Sequence, residues 1–177
     1  MQYLSIDAGL RAQADEAERA VQDLFAAIDK REEENTARVL EAFARHRVSA
    51  THFMPSTGYG YDDAGRDTLD QIWAEVFGCE AALVRHQFIS GTHTIATALF
   101  GLLRPGDVML SICGAPYDTL HKVIGIAPGG EGTLRDFGIG YADVALGADG
   151  HIDIAAGLTA LKENPAIRLV LLQRSRG

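Results

Sequence analysis

A short run of small, hydroxyl-bearing residues stands where an apolar helix is predicted to begin. Ser90, Gly91 and Thr92 join a predicted strand to the predicted helix Gly91–Leu103. The first N–H groups of a helix have no partner within it and lie at the positive end of the helix dipole, so such a turn can bind an anion such as phosphate. The two hydroxyl groups add further donors. An ordinary helix N-cap explains the same three residues equally well.

A second candidate is Tyr117, in the turn Gly114–Thr119 that follows the predicted strand Val108–Cys113. Ligands of open parallel sheets bind at the carboxyl ends of the strands. We therefore expect this turn and the Ser90 turn to open onto the same edge of the sheet. Pro116 restricts the turn, and the ring of Tyr117 could stack on a planar cofactor. The alternative is a turn tyrosine that packs on the protein surface.

The third candidate is the long loop of residues 48–67, which carries Tyr61 and Arg66. Loops of this length inside a compact protein are usually functional or disordered, and aromatic residues argue against disorder. Arginine is the best bidentate ligand for phosphate, and a nearby tyrosine can add a hydroxyl group. The alternative is an arginine exposed to solvent. The aspartates of the loop lack the spacing of a calcium-binding loop.

These candidate residues need a scaffold, and the apolar pattern beyond the loop predicts alternating helices and short strands. Gly78 is expected to end a helix and Asp153 to begin one. Near-continuous apolar strands that alternate with helices are typical of a mainly parallel α/β sheet. The predicted helices are Thr68–Phe77, Gly91–Leu103, Tyr117–Ile126 and Ile154–Glu163, and the predicted strands are Ala81–Arg85, Val108–Cys113, Ile139–Ala145 and Arg168–Gln173.

The N-terminal third of the chain is charged and predicted to be helical. Its segments 11–30 and 31–46 each place apolar residues at three- and four-residue spacings, which predicts two amphipathic helices. They fit either a small helical subdomain or an arm that crosses a subunit interface. The sequence thus predicts a helical arm over 1–47, a loop over 48–67, and a sheet-containing domain over 68–177. The last predicted strand looks central, and the chain ends directly after it, so we expect an incomplete α/β domain.

Composition excludes several classes of protein. The formal net charge of −8 argues against a nucleic-acid-binding protein, which needs a basic face. No apolar stretch is long enough to span a membrane and no secretory signal is visible, so a cytoplasmic protein is expected. Cys79 and Cys113 lie far apart, outside any metal-ligand motif, which predicts two reduced, largely buried thiols and no metal site.

The order of the three candidate sites along the chain, together with the residues around them, resembles that of a known family. The stretches GYGYDDAGRDTLD and SGTHTIA resemble the methionine gamma-lyase-like proteins, also called aluminum resistance proteins, over about residues 10–177. These are enzymes of fold type I that depend on pyridoxal 5′-phosphate (PLP) and belong to the Cys/Met metabolism class. The resemblance implies the large domain of such an enzyme, with a mainly parallel sheet and flanking helices.

The resemblance also implies roles for individual residues. Ser90, Gly91 and Thr92 match the turn that grips the cofactor phosphate in its own subunit. Tyr117 matches the aromatic residue that stacks on the cofactor ring, where it could also assist proton transfer. Tyr61 matches the tyrosine that reaches the cofactor phosphate of a neighbouring subunit, which implies a homodimer or a homotetramer.

The chain departs from the family pattern in two places. Asp63 stands where an arginine is expected two positions after the tyrosine of the loop, and Arg66 is the nearby candidate to replace it. The lysine that binds the cofactor covalently lies beyond the point where this chain ends. The lysines that are present do not match that position, and they are Lys30, Lys122 and Lys162.

The implied activity is that of a PLP-dependent carbon–sulfur lyase of the methionine gamma-lyase or cystathionine beta-lyase type, acting on sulfur amino acids. Without the cofactor lysine, this chain alone is expected to be inactive. One alternative is a PLP enzyme of another reaction type, an aminotransferase or an aldolase, because the same half-site would serve either. The other alternative is a truncated, non-catalytic protein.

Overall fold

The structure is a computed structural model that describes residues 5–174. Those residues form two compact units, one that extends to Arg85 and one that begins at His86. Within this range, no helix combines the length and apolar character that crossing a membrane requires. The helices are α1 (Ala8–Arg45), α2 (Ala64–Phe77), α3 (Gly91–Leu102), α4 (Asp118–Ile124) and α5 (Ile154–Glu163), the strands are β1 (Val108–Ser111), β2 (Gly140–Asp143) and β3 (Ile167–Leu171), and a 3₁₀ turn spans Ala50–Phe53.

The first unit is built on α1, a single helix of 38 residues. The prediction of two separate N-terminal helices is therefore wrong. No glycine or proline occurs between residues 10 and 46, so nothing in the sequence stops the helix between the two segments. Asp7 caps its start by accepting hydrogen bonds from the N–H groups of Gly9 and Leu10 at 2.9 and 3.1 Å. At its end, Arg45 and His46 both contact the carboxylate of Glu75 in α2.

Helix α2 holds the segment that follows it through one aspartate. Residues 81–85 form no strand, so that prediction is wrong. Asp70 instead accepts hydrogen bonds from Val84 N at 2.8 Å and from both terminal nitrogens of Arg85 at 2.7 Å. The hydrogen bonds from Arg85 hold the pKa of Asp70 below its usual value of 3.8. A carboxylate thus satisfies a backbone group that a neighbouring strand would otherwise bind.

Asp70→Asn keeps the shape of this side chain and removes the charge that Arg85 pairs with. We expect the unfolding midpoint to fall by about 2–4 °C at neutral pH. Because folding lowers the pKa of Asp70, its stabilisation is present above pH 3.8 and is lost as the pH falls through the lower folded-state value. The gap between variant and wild type should therefore narrow in acid, as measured by thermal unfolding across a pH series.

Asp67→Asn on the same helix is the matched control. Asp67 pairs with Arg66 at 3.3 Å, but its side chain is 56% exposed. Exposed ion pairs contribute little to stability, so we expect a shift below about 1 °C. Equal losses from the two variants would contradict the role of Asp70.

The second unit contains a parallel sheet with the order β2-β1-β3 in the described residues. This confirms the predicted parallel α/β pattern for this part of the chain. Strand β1 lies in the centre, and its Met109, Leu110 and Ser111 are at most 1% exposed. The last predicted strand was expected to be central, but in the described residues it is β3, at the edge of the sheet, and every second residue of it is exposed. Its Val170 is 43% exposed.

Helices α3 and α4 pack on one face of β1 around a core of aliphatic side chains. Long parallel strands need such helical cover because both of their faces are apolar. The predicted end of one helix and the predicted start of another are confirmed. Gly78 ends α2 in the left-handed conformation with φ 64°, and Asp153 accepts a hydrogen bond from Ala156 N at 2.9 Å at the start of α5. The buried core residues are Leu99, Leu103, Met109, Leu120, Ile124, Leu134 and Ile139.

Candidate cofactor-phosphate site

The turn that precedes α3 has the backbone of a capped helix start. Ser90 is extended, and its Oγ accepts a hydrogen bond from His93 N at 3.1 Å. The carbonyl oxygen of Ser90 accepts from both Thr94 N and Thr94 Oγ1, at 3.0 and 3.1 Å. Ser90 is therefore the N-cap of the helix, as the simpler interpretation of the sequence has it. The cap uses a lone pair of Ser90 Oγ, so its proton is still available to an anion.

Two N–H groups at this helix end have no partner among the described residues. The main-chain nitrogens of Gly91 and Thr92 make no hydrogen bond within residues 5–174. They lie at the positive end of a 12-residue helix dipole. A Cβ atom built on Gly91 would have no heavy atom within 4 Å, so the space beside the helix end is open. Capping and anion binding are thus compatible here, because the cap occupies only the N–H groups of His93 and Thr94.

The turn of Ser90 and the turn of Tyr117 lie next to each other. Thr92 Oγ1 and Thr119 Oγ1 are 2.8 Å apart and share a hydrogen bond. Thr92 is in the first turn of α3, and Thr119 is in the first turn of α4. The two helix starts therefore meet at the carboxyl edge of the sheet. This proximity agrees with the expectation that both turns open onto one edge.

Tyr117 is the N-cap of α4, which begins at Asp118 rather than at Tyr117 itself. Its side chain is partly exposed, with 40% of the residue accessible to solvent. Its hydroxyl group makes no hydrogen bond with other residues of the described range. The main chain is firmly held, since Tyr117 N donates to Gln173 Oε1 at 2.9 Å. An exposed ring on a fixed backbone can stack on a flat ligand.

The loop that carries Tyr61 belongs to the first unit and presents its aromatic rings to solvent. Tyr59 and Tyr61 are 83% and 84% exposed. Asp62 has a positive φ of 54°, which is unusual for a residue other than glycine. A tyrosine so exposed is not held by packing within its own unit. Its phenol is therefore accessible to another molecule or subunit.

Arg66 folds back on this loop. Its Nη2 donates to Gly60 O at 2.7 Å and lies 3.3 Å from Asp67 Oδ1. Gly60 has a φ of 82°, a backbone conformation that favours glycine, and the guanidinium of Arg66 lies against this backbone. The second terminal nitrogen of Arg66 makes no hydrogen bond in the described chain. The guanidinium is thus only partly engaged, and the loop holds its position.

Asp63 has a structural task. One carboxylate oxygen accepts from Arg66 N at 3.1 Å, which caps α2, and the other accepts from Ser56 Oγ at 2.7 Å. The hydrogen bond from Ser56 lowers the pKa of Asp63 and keeps it ionised. An aspartate is a strong N-cap and an arginine is not, so this position serves the start of α2.

The cysteines and lysines are not among the donors at the start of α3. Both cysteines are free thiols, but the expectation that both are largely buried is wrong, since Cys79 is exposed and Cys113 is half-buried. Lys30, Lys122 and Lys162 are exposed, on α1, α4 and α5. In the described part of the chain, no group of three or more His, Cys, Asp and Glu residues is arranged to hold a metal ion.

Tyr141 brings a buried phenol into the second unit. It lies on β2 opposite Met109 of β1, and its ring packs against the core. Burial, with Asp143 nearby, raises the pKa of Tyr141 to about 12, so the hydroxyl stays protonated. Within residues 5–174 this buried oxygen has no hydrogen bond of ordinary geometry. The candidate site residues do not include it.

Sequence reasoning missed two residues of the second unit that the structure places at the candidate site. Thr119 joins the two turns, and Gln173 holds the backbone of Tyr117. Thr119 follows Tyr117 by two positions at a helix start, which is a signal that could have been used. No local pattern points to Gln173, because it lies 56 residues beyond Tyr117.

The chain has known relatives, and some of them are uncharacterised. The family described as "Methionine gamma-lyase" matches residues 10–177. A protein of Bacillus subtilis (strain 168), the uncharacterized protein YnbB, is 52% identical over 170 residues, which cover 95% of this chain and 40% of that protein. The chain thus spans less than half the length of this relative.

Solved structures are similar to this chain in both sequence and fold. A carbon–sulfur lyase involved in aluminum resistance from Clostridium novyi NT is 47% identical and superposes with a TM-score of 0.91, over 96% of this chain and 41% of that one. A proposed cystathionine beta-lyase involved in aluminum resistance from Clostridium acetobutylicum is 44% identical, with a TM-score of 0.89, over 97% of this chain and 41% of that one. The mixed α/β fold with its parallel sheet is similar to these structures. This chain belongs to the methionine gamma-lyase family.

Proposed function

We propose that this chain supplies the phosphate grip and one ring face of a PLP-dependent carbon–sulfur lyase of fold type I that acts on sulfur amino acids. The observation that carries the proposal is the start of α3. There, the N–H groups of Gly91 and Thr92 have no partner within residues 5–174, the space beside Gly91 is open, and two hydroxyl groups are close by. The family supports PLP as the group that binds, and the names of the solved relatives support the carbon–sulfur lyase chemistry.

The donors at this helix end suit a phosphate dianion. The N–H groups of Gly91 and Thr92 would donate to its oxygens, and the hydroxyl protons of Ser90 and Thr92 would add two donors. Helix dipoles and N–H groups bind an anion without a net positive charge nearby, which fits an acidic protein with a net charge of −8. When bound, PLP supplies an electron-accepting ring that stabilises negative charge on the amino-acid substrate.

Tyr117 would hold the ring in place and exclude water from one of its faces. Its own ring is exposed and its backbone is fixed, which is the arrangement that stacking requires. The Tyr117 hydroxyl, which is free of partners in the described chain, can accept or donate a proton at the substrate. Loss of this residue should therefore weaken both binding and turnover.

Tyr61 and Arg66 would complete the phosphate site of a neighbouring subunit in a homodimer or homotetramer. The exposure of Tyr61 supports this role, because a phenol that nothing covers is free to reach another chain. Arg66 would offer the terminal nitrogen that the loop leaves unused. It would thereby take the place of the arginine that Asp63 replaces.

Comparing PLP with pyridoxal, which lacks the phosphate, tests the proposal. A protein that carries this chain should bind PLP at least about 100-fold more tightly than pyridoxal, since phosphate contacts carry most of the affinity. The measurement is a fluorescence titration. Lyase activity would appear as a thiol, ammonia and a 2-oxo acid released from a thioether amino acid. Equal affinities would contradict the phosphate grip, whereas tight PLP binding with transamination or aldol cleavage instead would contradict only the reaction type.

A further inference from the structure

The turn between β1 and α4 is held at almost every residue. Ser111 Oγ donates to Gly114 O at 2.6 Å, and Gly114 N donates to Val144 O at 2.8 Å. His121 Nε2 lies 2.8 Å from Pro116 O and donates to it. These contacts come from β1, from the end of β2 and from α4 itself. They fix the turn up to the residue before Tyr117.

The backbone of Tyr117 is held from a different direction. A helix start has N–H groups without intrahelical partners, and the side chain of Tyr117 offers no cap to α4. Tyr117 N instead donates to the side-chain oxygen of Gln173 at 2.9 Å. The backbone nitrogen of Gln173 donates to Cys113 Sγ at 3.1 Å. Gln173 therefore binds the chain on both sides of the turn, before it at Cys113 and after it at Tyr117.

We propose that Gln173 is the residue that positions Tyr117 against the cofactor ring. The inference rests on the proposed function, in which the Tyr117 ring stacks on PLP. The hydroxyl of Tyr117 has no hydrogen bond within residues 5–174, so the described hydrogen bonds hold this residue through its backbone and not through its ring. Gln173 supplies a long-range hydrogen bond to that backbone. Its place directly after β3 makes the last strand of the described sheet part of the site.

Two substitutions separate the acceptor from the bulk of the side chain. Gln173→Met keeps a similar length and volume but removes the oxygen that Tyr117 N binds. Gln173→Glu keeps an acceptor oxygen at the same reach. Gln71→Met is the matched control, since Gln71 is exposed on α2 in the first unit. All variants are made in the full natural protein that contains this chain. Far-UV circular dichroism verifies that they fold.

Amide hydrogen exchange tests the hydrogen bond without the cofactor. In Gln173→Met, exchange at Tyr117 should be at least about tenfold faster than in wild type, because its N–H loses its only acceptor in the described chain. Gln173→Glu should restore the slow rate, and Gln71→Met should not change it. Wild-type exchange in Gln173→Met would overturn the proposal, whether or not the protein binds PLP.

The effect on the cofactor site is read separately. Gln173→Met should weaken PLP and pyridoxal alike, by about three- to tenfold, because it disturbs the ring and not the phosphate. The visible circular dichroism of bound PLP should fall in parallel and recover in Gln173→Glu. If Gln173→Met leaves both affinities and the dichroism unchanged, Gln173 does not position Tyr117. Equal affinities of the wild-type protein for PLP and pyridoxal would instead refute the proposed function. The exchange rates would still decide whether Gln173 anchors the turn.

Discussion

Replacing Gly91 with aspartate is expected to weaken PLP binding by at least about 100-fold while the protein stays folded. The new carboxylate would stand at the first position of α3, beside the N–H groups that the phosphate would use. Two negative groups at one helix end repel each other, and the protein group would occupy the donors first. Because a Cβ on Gly91 meets no heavy atom within 4 Å, the substitution causes no clash.

The stability of this variant should not fall, so a loss of PLP binding could not be attributed to unfolding. An acidic residue in the first turn of a helix is favourable, so the unfolding midpoint should stay unchanged or rise slightly. Gly101→Asp is the matched control, because Gly101 lies in the same helix and its Cβ would also meet no heavy atom. Gly101→Asp should bind PLP like wild type. The affinities come from titration with PLP and with pyridoxal.

Pyridoxal supplies the second comparison for Gly91→Asp. Without a phosphate it should bind the variant and the wild type about equally. If Gly91→Asp binds PLP as tightly as Gly101→Asp does, the start of α3 is not the phosphate site. If both variants lose PLP binding, the loss follows from damage to the helix, and the specific role of Gly91 is again contradicted.

Tyr61→Phe is expected to weaken PLP binding by about 10- to 100-fold, because it removes a hydrogen bond to a charged phosphate. The substitution deletes one oxygen from a side chain that is 84% exposed, so the fold should not respond. Tyr59→Phe is the control, since Tyr59 is 83% exposed in the same loop. It should leave the affinity for PLP unchanged.

Mixed oligomers test whether Tyr61 serves a neighbouring subunit. A dimer of one Tyr61→Phe subunit and one Gly91→Asp subunit would hold one site with both defects and one intact site. Refolding the two weakly binding variants together should therefore restore about a quarter of the tight sites. Recovery counted by PLP titration would support the exchange of loops between subunits. No recovery would show that the Tyr61 loop acts within its own subunit or does not act on the cofactor.

Local signals in the sequence predicted the parts of the fold that depend on local physics. Gly78 ends a helix because glycine adopts the left-handed conformation easily, and Asp153 begins one because its carboxylate caps backbone N–H groups. Apolar runs also predicted the buried strand β1 and the helices around it. Apolar spacing, in contrast, split α1 into the segments 11–30 and 31–46, although no helix-breaking residue stands between them.

Features that depend on distant partners were not predictable in this way. Residues 81–85 have the composition of a strand, but the side chain of Asp70 holds their backbone instead. Nothing near Tyr117 in the sequence indicates its contact with Gln173. The N-cap of α2 at Asp63 is a local contact with Arg66 N, three residues later, and sequence reasoning missed it. The candidate site could be predicted as a set of residues, while the contacts that position them required coordinates.

The hydrogen bond between the hydroxyl groups of Thr92 and Thr119 can run in either direction, and a bound anion would decide which. Either oxygen could be the donor at 2.8 Å, so the pair has two orientations without a ligand. A phosphate beside Thr92 would select one of them, in which Thr119 donates to Thr92 and Thr92 donates to the anion. The other orientation would turn a lone pair of Thr92 toward the negative charge. Anion binding at α3 would thus fix the orientation of the Thr119 hydroxyl on α4. The direction of that O–H bond would differ between the protein with and without a bound phosphate.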